Sequence, residues 1–478
     1  MSERIVENSA RMMLLQVCTF AANAALYFIL ARLLTSADYG AASCTVLPLL
    51  MVIRTGAFGA LVLGTSKIIA ANPDTVSSSI SVSRKAYLIV GIAGTALLLL
   101  FAGTISQVLR DPSLTPYFRL TAIVILPIAG YTLLHAALIG LKDFRSDMVL
   151  GMLFQVVKLA LTVLLVLLGM RVYGLIFGFA AACIILMLAF RRKMPSARGP
   201  NVVTLRTYFS IAGGIFIASG LAMVQRYVNL WNLKRILFDN QTVAYYSVAT
   251  QLASVPALIF SGAVIALWPA ISGLSTTPDR SLAAKHLQRS FKYVIIGLLP
   301  ISAILAALPN CAIRIAFGPQ YAAGATVLPI LVLTLILLAL QSLLMSALVA
   351  LGKVKIITTI LATAAVTTIL VGNILIPRFG IKGAAATELI GFLVSSTGAT
   401  LASTRIFGKI ASFPETAKIT SLALVLFLVV RSFAFTGHWV ALVIAAALGL
   451  YALALISLGI ISTDEISQAL SRLRRRTA

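Results

Sequence analysis

Acidic residues are scarce in this sequence, and so are the side chains that build metal and disulfide sites. Only 13 Asp and Glu residues stand against 38 Lys and Arg residues in a chain of 478. The 4 cysteines fall mostly in apolar runs and the 3 histidines lie far apart, so neither residue type has metal-ligand spacing. This scarcity argues against a disulfide scaffold and predicts no metal site and no cofactor.

Long polar segments are also missing from the sequence. No loop between apolar runs exceeds roughly 20 residues, which leaves no room for a separately folded catalytic domain. The sequence also lacks the pairs of carboxylates that a glycan-transferring enzyme would use as acid and base. We therefore predict that the protein has no catalytic residues and is not an enzyme.

Hydrophobic residues are abundant, at 60% of the chain, and the mean hydropathy is +1.03. A membrane-spanning helix needs roughly 20 apolar residues, so this content is enough for about 14 spans. The sequence predicts an all-α polytopic membrane protein with two six-helix lobes around a central cavity. Its predicted parts are the N-terminal lobe (1–190), a basic cytoplasmic linker (191–206), the C-terminal lobe (207–405), two further helices (406–461) and a basic cytoplasmic tail (462–478).

The distribution of Lys and Arg predicts the orientation of these spans. Of the 38 basic residues, 25 fall in the termini and the even-numbered loops and 10 in the odd-numbered loops. Cytoplasmic loops carry the excess of Lys and Arg in membrane proteins. Both termini are therefore predicted to be cytoplasmic. The net charge of +25 is explained by topology and does not indicate a nucleic-acid partner.

Several strings in the first half of the sequence recur in the second half at a nearly constant offset. TSADYGAAS at 35–43 resembles NQTVAYYSVA at 240–249, and RVYGLIFGFA at 171–180 resembles IPRFGIKGAA at 376–385. A repeat that begins on the same side of the membrane each time predicts two lobes in parallel orientation.

Four strings in the sequence resemble those of a known family: ARLLTSADYGAAS at 31–43, VAYYSVATQLASVP at 243–256, FGPQYAAG at 317–324 and IPRFGIKGAA at 376–385. In order and spacing they resemble the polysaccharide-transport (Wzx-like) branch of the multidrug/oligosaccharidyl-lipid/polysaccharide (MOP) exporter superfamily, over nearly the whole chain. The resemblance implies a flippase in the bacterial inner membrane. Its implied substrate is an undecaprenyl-pyrophosphate-linked oligosaccharide, carried to the periplasmic leaflet by alternating access, and a polysaccharide polymerase or chain-length regulator is a candidate partner.

Three cations lie inside predicted spans, namely Arg54, Lys158 and Arg226, whereas Glu388 is the only acid predicted inside one. Each charge at mid-bilayer costs about 2.5 to 3.5 kcal/mol on insertion scales, so an uncompensated cation should face water or an anionic ligand. We predict that these three cations line the central cavity and bind the pyrophosphate group. Snorkelling to the membrane interface is the alternative, above all for Arg226.

Polar residues at helical spacing extend this predicted lining. Gln155 lies three positions before Lys158, Asn229 lies three after Arg226, and Asn23 stands in the first span. Lone amides such as Asn23 also hold helices together, so packing remains an alternative for them. Glu388 is a candidate for coupling to protons or sodium, with a structural ion pair as the alternative.

Three other functions remain open at this level. A cation-coupled multidrug exporter of the same superfamily would have about 12 spans and acidic residues in its lobes. A peptidoglycan-precursor lipid flippase would also have 14 spans and a cationic cavity, and the sequence hardly distinguishes it. A membrane glycosyltransferase or polysaccharide polymerase would need activating carboxylates or a large periplasmic loop, and the sequence has neither.

Overall fold

The computed structural model describes residues 18–19, 21–71, 76–194, 204–256, 280–408, 410, 413–433 and 440–460. Helices dominate this part of the chain, and it contains no β-strand. In the first half (residues 21–194), the helices are α1 (Ala21–Leu33), α2 (Ser36–Cys44), α3 (Val46–Met51), α4 (Phe58–Ala71), α5 (Val76–Val108), α6 (Thr115–Gly140), α7 (Phe144–Leu165) and α8 (Arg171–Ala189).

The second half (residues 204–408) begins with the long helix α9 (Leu205–Leu237), followed by α10 (Asn240–Ala253), α11 (Arg280–Ala307), the short α12 (Pro309–Ala316), α13 (Leu328–Ala350) and the kinked α14 (Val354–Phe407). Two further helices follow, α15 (Phe413–Ser432) and α16 (Val440–Ser457). These helices, with α14 counted as two arms, confirm the predicted all-α fold of about 14 helices.

Helices α2 to α4 form one continuous rod with a local irregularity. Helices α2, α3 and α4 follow one another from Ser36 to Ala71, and a π-helical segment, Val52–Ala57, joins α3 to α4. A π-helical turn widens the helix locally and is frequent at functional sites. This segment includes Gly56 and carries Arg54.

Two tight reversals, one in each half, use glycine in the left-handed region. Gly169 has φ +87° between α7 and α8, and Gly380 has φ +56° at the kink that divides α14 into two antiparallel arms. Residues with a Cβ rarely adopt such angles, which explains the glycine at both positions. Gly169 lies just before the recurring string at 171–180, and Gly380 lies within the recurring string at 376–385. Each copy of this sequence repeat therefore comes with a tight turn.

Small residues allow close helix packing. A Cβ at Gly178 of α8 would lie 2.6 Å from Thr162 Oγ1 of α7, as expected from the small-residue spacing in α8. A Cβ at Gly40 of α2 would lie 1.8 Å from the backbone oxygen of Asn240, so α2 and α10 approach each other across the two halves.

The two halves meet near both ends of α9, a helix of 33 residues that is about 50 Å long. Near its start, the Tyr208 hydroxyl lies 2.8 Å from Thr65 Oγ1 of α4. Near its end, Trp231 Nε1 donates to the backbone oxygen of Cys44 over 3.0 Å. The helices that meet between these two contacts enclose the candidate site.

Candidate functional site

Lys158 on α7 is held by amide oxygens inside the first half. Its Nζ donates to Asn23 Oδ1 of α1 over 2.6 Å and to Gln155 Oε1 over 2.7 Å, and the residue is only 2% exposed. Buried charges require such hydrogen bonds, because an unsolvated ammonium group is costly. The structure therefore brings together three residues that the sequence predicts as cavity lining.

Arg54 belongs to the same cluster but is held by aromatic rings. Its guanidinium carbon lies 4.5 Å from the ring centroid of Phe154 and 5.8 Å from that of Tyr131. Lys158 Nζ lies 5.6 Å from the same Phe154 ring. Cation–π attraction thus stabilises both cations without a carboxylate. We call Asn23, Arg54, Phe154, Gln155 and Lys158 the first-half cluster.

A second group of polar residues lines a cavity between the two halves, which we call the central cavity. Its first-half walls come from Tyr27, Ser43, Leu47 and Pro48, and its second-half walls include Arg226 on α9 and Glu388 on α14. Arg226 is thus one of the residues that line this cavity. Within the described part of the chain, its guanidinium group has neither an ion-pair nor a hydrogen-bond partner.

Glu388 is buried, at 4% exposure, but fully hydrogen-bonded on one oxygen. Its Oε2 accepts from the Tyr246 hydroxyl of α10 and from Asn229 Nδ2 at 3.4 Å. Asn229 Nδ2 also donates to the backbone oxygen of Ala384 at 2.8 Å. This network fixes the carboxyl group at the wall of the central cavity, on the same side as Arg226.

Helix α1 connects the two sites. Asn23 bonds to Lys158, and Tyr27, one helical turn further on, lines the central cavity. Residues four positions apart lie on the same helix face. The predicted cations therefore form two groups one turn of α1 apart, with Arg54 and Lys158 in one and Arg226 in the other.

The central cavity is small in this conformation, at about 40 Å³. Such a volume holds very few water molecules. A ligand larger than a few atoms can reach Arg226 only if the halves separate.

Other polar residues singled out in the sequence have packing roles. Gln225 Nε2 donates to Ser395 Oγ over 2.8 Å, and Ser395 Oγ donates to Gln341 Oε1 over 2.6 Å. His135 pairs with Asp147, which is buried at the start of α7. Asp147 is thus a second buried acid, besides Glu388, within the described helices.

Sequence reasoning did not identify the aromatic partners Tyr131, Phe154 and Tyr246, because aromatic side chains in apolar helices have no distinctive spacing. It also did not identify the contact between Lys234 and Asp111. Lys234 Nζ, on α9, lies 2.7 Å from Asp111 Oδ2, in the loop between α5 and α6. In the sequence Lys234 counted only among the basic residues of the odd-numbered loops, and no role was predicted for Asp111.

Comparisons with solved structures define the class of protein. A lipid II flippase MurJ structure in an inward closed conformation superposes with a TM-score of 0.74 at 13% identity, covering 94% of this chain and 98% of that one. A MOP superfamily transporter from Pyrococcus furiosus gives 0.64 at 14% identity, covering 84% and 96%. An outward-facing MATE transporter also gives 0.64, at 13% identity, covering 84% and 95%. These likenesses show the fold of a multi-pass MOP transporter.

The family model described as "Polysaccharide biosynthesis protein" matches residues 29–326, so the chain belongs to that family. The succinoglycan biosynthesis transport protein ExoT of Rhizobium meliloti is 25% identical over 318 residues, which are 64% of this chain and 61% of that protein. An uncharacterized membrane protein of Methanocaldococcus jannaschii is 25% identical over 190 residues, 40% of this chain and 38% of that protein. The chain thus matches less than two thirds of the length of either relative. The chain is therefore a member of a polysaccharide biosynthesis family that has the fold of MOP superfamily transporters.

Proposed function

We propose that this transporter moves an undecaprenyl-pyrophosphate-linked oligosaccharide from the cytoplasmic to the periplasmic leaflet of a bacterial inner membrane. The observation that carries the proposal is Arg226, which faces the central cavity between the two halves without a carboxylate partner in the described residues. A guanidinium group binds phosphate oxygens with two parallel hydrogen bonds. Membership of the polysaccharide family supplies the glycan part of the substrate.

Arg54 extends the cationic path toward the first half. The rings of Phe154 and Tyr131 attract the guanidinium group, which has five N–H donors and so keeps donors for an anion even where it also bonds to the Tyr131 hydroxyl. Lys158 is one step further from the substrate, since two of its three N–H donors already bond to amide oxygens. In this proposal Arg226 and Arg54 bind the pyrophosphate group, and Lys158 positions α1.

Transport proceeds by alternating access of two lobes, 1–190 and 207–405. The observed contacts of α9 near both of its ends, together with the small central cavity, correspond to a closed state of this cycle. The prenyl tail remains in the lipid while the headgroup crosses. Both termini are cytoplasmic, and a polysaccharide polymerase or chain-length regulator receives the product.

Glu388 is proposed as the coupling residue. It lies on the wall that also carries Arg226, and its hydrogen bonds from Tyr246 and Asn229 connect α10, α9 and α14. A change in its protonation or the binding of a cation alters the charge that Arg226 faces. Energy from an ion gradient is thereby linked to release of an anionic headgroup.

The test is export of the glycan in a strain that lacks the chromosomal gene, complemented with Arg226→Gln, Arg54→Gln or Arg314→Gln. Arg314 is exposed and lies outside both sites, so it is the matched control. We expect loss of export for the first variant, reduced export for the second and normal export for the control, at equal membrane abundance. Normal export by the Arg226 and Arg54 double variant would refute the proposal.

A flipping assay with purified protein in proteoliposomes separates the remaining alternatives. Lipid-linked oligosaccharide, peptidoglycan precursor and a cationic drug are offered in parallel. The proposal requires transport of the first and discrimination against the drug, because the guanidinium group of Arg226 binds phosphate oxygens and has no attraction for a cationic drug.

A further inference from the structure

A second, larger cleft lies between the two halves, away from the central cavity. It is about 430 Å³ in volume and is lined by Gln107, Val108 and Arg110 at the end of α5 and by Arg235, Ile236 and Phe238 at the end of α9. Pockets for small ligands have volumes of about 300 to 1,000 Å³. We call it the arginine cleft, because each half contributes one guanidinium group to it.

The charge of the arginine cleft is positive and uncompensated by its own lining, which includes no acidic side chain among the described residues. The carboxylates that adjoin Arg110 and Phe238 in the sequence, Asp111 and Asp239, are already hydrogen-bonded. Asp111 accepts from Lys234 Nζ at 2.7 Å, from Asn240 Nδ2 at 3.3 Å and from Ser113, and Asp239 accepts from the backbone N–H groups of Gln241 and Thr242, each at 2.9 Å. The two arginines therefore have no protein anion to bind within the described residues.

The arginines are also held in position with donors to spare. Arg110 stacks on Phe238, with 4.6 Å between the guanidinium carbon and the ring centroid. Arg235 donates from Nη2 to Asn373, while its buried Nε has no hydrogen-bond partner in the described part of the chain. Arg110 and Phe238 both adopt positive φ, at +54° and +59°, which residues with a Cβ rarely do. Such backbone conformations occur preferentially at functional sites.

We propose that the arginine cleft is an oxyanion-binding site that takes a phosphate or pyrophosphate group. Two planar guanidinium forks from opposite halves suit the tetrahedral oxygens of such a group, and an unpaired Nε supplies a further donor. The inference rests on the proposed function and deepens it, since the cleft lies at the end of α9 on the predicted periplasmic side of the membrane, where the headgroup would leave. Its ligand is either the diphosphate of the carrier lipid or the phosphate of a membrane phospholipid.

The test is arginine-selective labelling by phenylglyoxal of the full-length protein in nanodiscs, with each modified arginine quantified by mass spectrometry. Inorganic pyrophosphate is the probe, and chloride at equal ionic strength is the control. We expect pyrophosphate to slow modification of Arg110 several-fold while Arg314, exposed in the same half as Arg235, stays at its original rate. Equal protection of Arg110 and Arg314, or none, overturns the proposal.

Variants make this test specific to the cleft. Arg235→Ala should abolish the protection of Arg110, whereas Arg314→Ala and Arg226→Gln should preserve it. Loss of protection in Arg226→Gln with retention in Arg235→Ala would place the anion in the central cavity and refute the inference. Labelling is also measured in phospholipid-free detergent, which distinguishes the sources. A phospholipid ligand protects Arg110 in nanodiscs before any pyrophosphate is added, and in detergent that protection is lost until pyrophosphate is added, so the effect of pyrophosphate is compared in both. Transport is not measured, so failure of the proposed function leaves this test unaffected.

Discussion

Lys234 Nζ and Asp111 Oδ2 are 2.7 Å apart and join the two halves at the end of α9. The lysine side chain is 1% exposed and the aspartate 17%. At the start of α9 the halves meet through the neutral hydroxyl groups of Tyr208 and Thr65. The two ends are therefore closed by different chemistry, and removal of Asp111 would leave the Lys234 ammonium buried without its partner in the closed arrangement.

Removal of this ion pair should favour separation of the halves at that end. We expect Asp111→Asn to speed the labelling of a cysteine introduced at Ser247 in the central cavity by about tenfold, equivalent to ~1.4 kcal/mol. The charge swap Asp111→Lys with Lys234→Asp should restore slow labelling. The native cysteines are replaced first, and Asp143→Asn, which weakens only the exposed pair of Asp143 with Lys193, is the control. Unchanged labelling in Asp111→Asn would contradict the prediction.

The same ion pair should withstand mild acid. Burial alone raises the pKa of Asp111, but hydrogen bonds from Lys234, Ser113 and Asn240 outweigh it and hold the pKa below the usual value of 3.8. A carboxylate with a depressed pKa keeps its contribution above its unfolded pKa and loses it only as the pH falls through the folded pKa. The ratio of labelling rates at position 247 between Asp111→Asn and the parent protein should therefore be constant between about pH 5 and 8, because the pH dependence of the thiol itself cancels in the ratio. A ratio that falls toward one at pH 6 would show that another group controls this end.

The pattern of Lys and Arg predicts the topology, and reporter fusions test it directly. Fusions after Arg206 and after Ala478 should both give cytoplasmic signals, because the even-numbered loops and termini hold 25 of the 38 basic residues. A fusion in the loop that carries Asp111 should give a periplasmic signal and serves as the internal control. A periplasmic signal at either of the first two sites would overturn the orientation.

Hydropathy and charge make the helices of this protein predictable, because each span must satisfy its own backbone in the membrane. They also make Arg54, Lys158, Arg226 and Glu388 visible as polar residues in apolar helices. Their partners are not visible. Asn23 and Lys158 are 135 positions apart, and Tyr246 and Glu388 are 142 apart. Only tertiary packing brings such pairs together, so the separation of the cations into two groups follows from the fold and not from any local spacing.

If Glu388 couples transport to an ion gradient, its replacement by glutamine should change the ion dependence of transport while the fold stays intact. Glu388→Gln keeps an acceptor for Tyr246 and removes the titrating proton, so we expect flipping that no longer responds to pH or sodium. Gln341→Glu is unsuitable as a control because Gln341 bonds to Ser395 in the packing network. The better control is Glu415→Gln, whose carboxylate is exposed near Lys292. An unchanged ion dependence in Glu388→Gln would assign the residue a structural role.

Lys158 should act through α1 and not through direct contact with substrate. Lys158→Met leaves the amide oxygens of Asn23 and Gln155 buried without a donor, which costs about 1 to 3 kcal/mol for each group. Asn23→Leu in the same protein removes one of these oxygens, so the double variant should be less destabilised than the sum of the single variants by roughly 1 to 2 kcal/mol. Thermal unfolding of the four proteins in detergent measures this coupling energy. Additive effects would show that the hydrogen bond between α1 and α7 does not contribute to stability. Loss of pyrophosphate binding in Lys158→Met without loss of stability would show that Lys158 contacts the substrate directly.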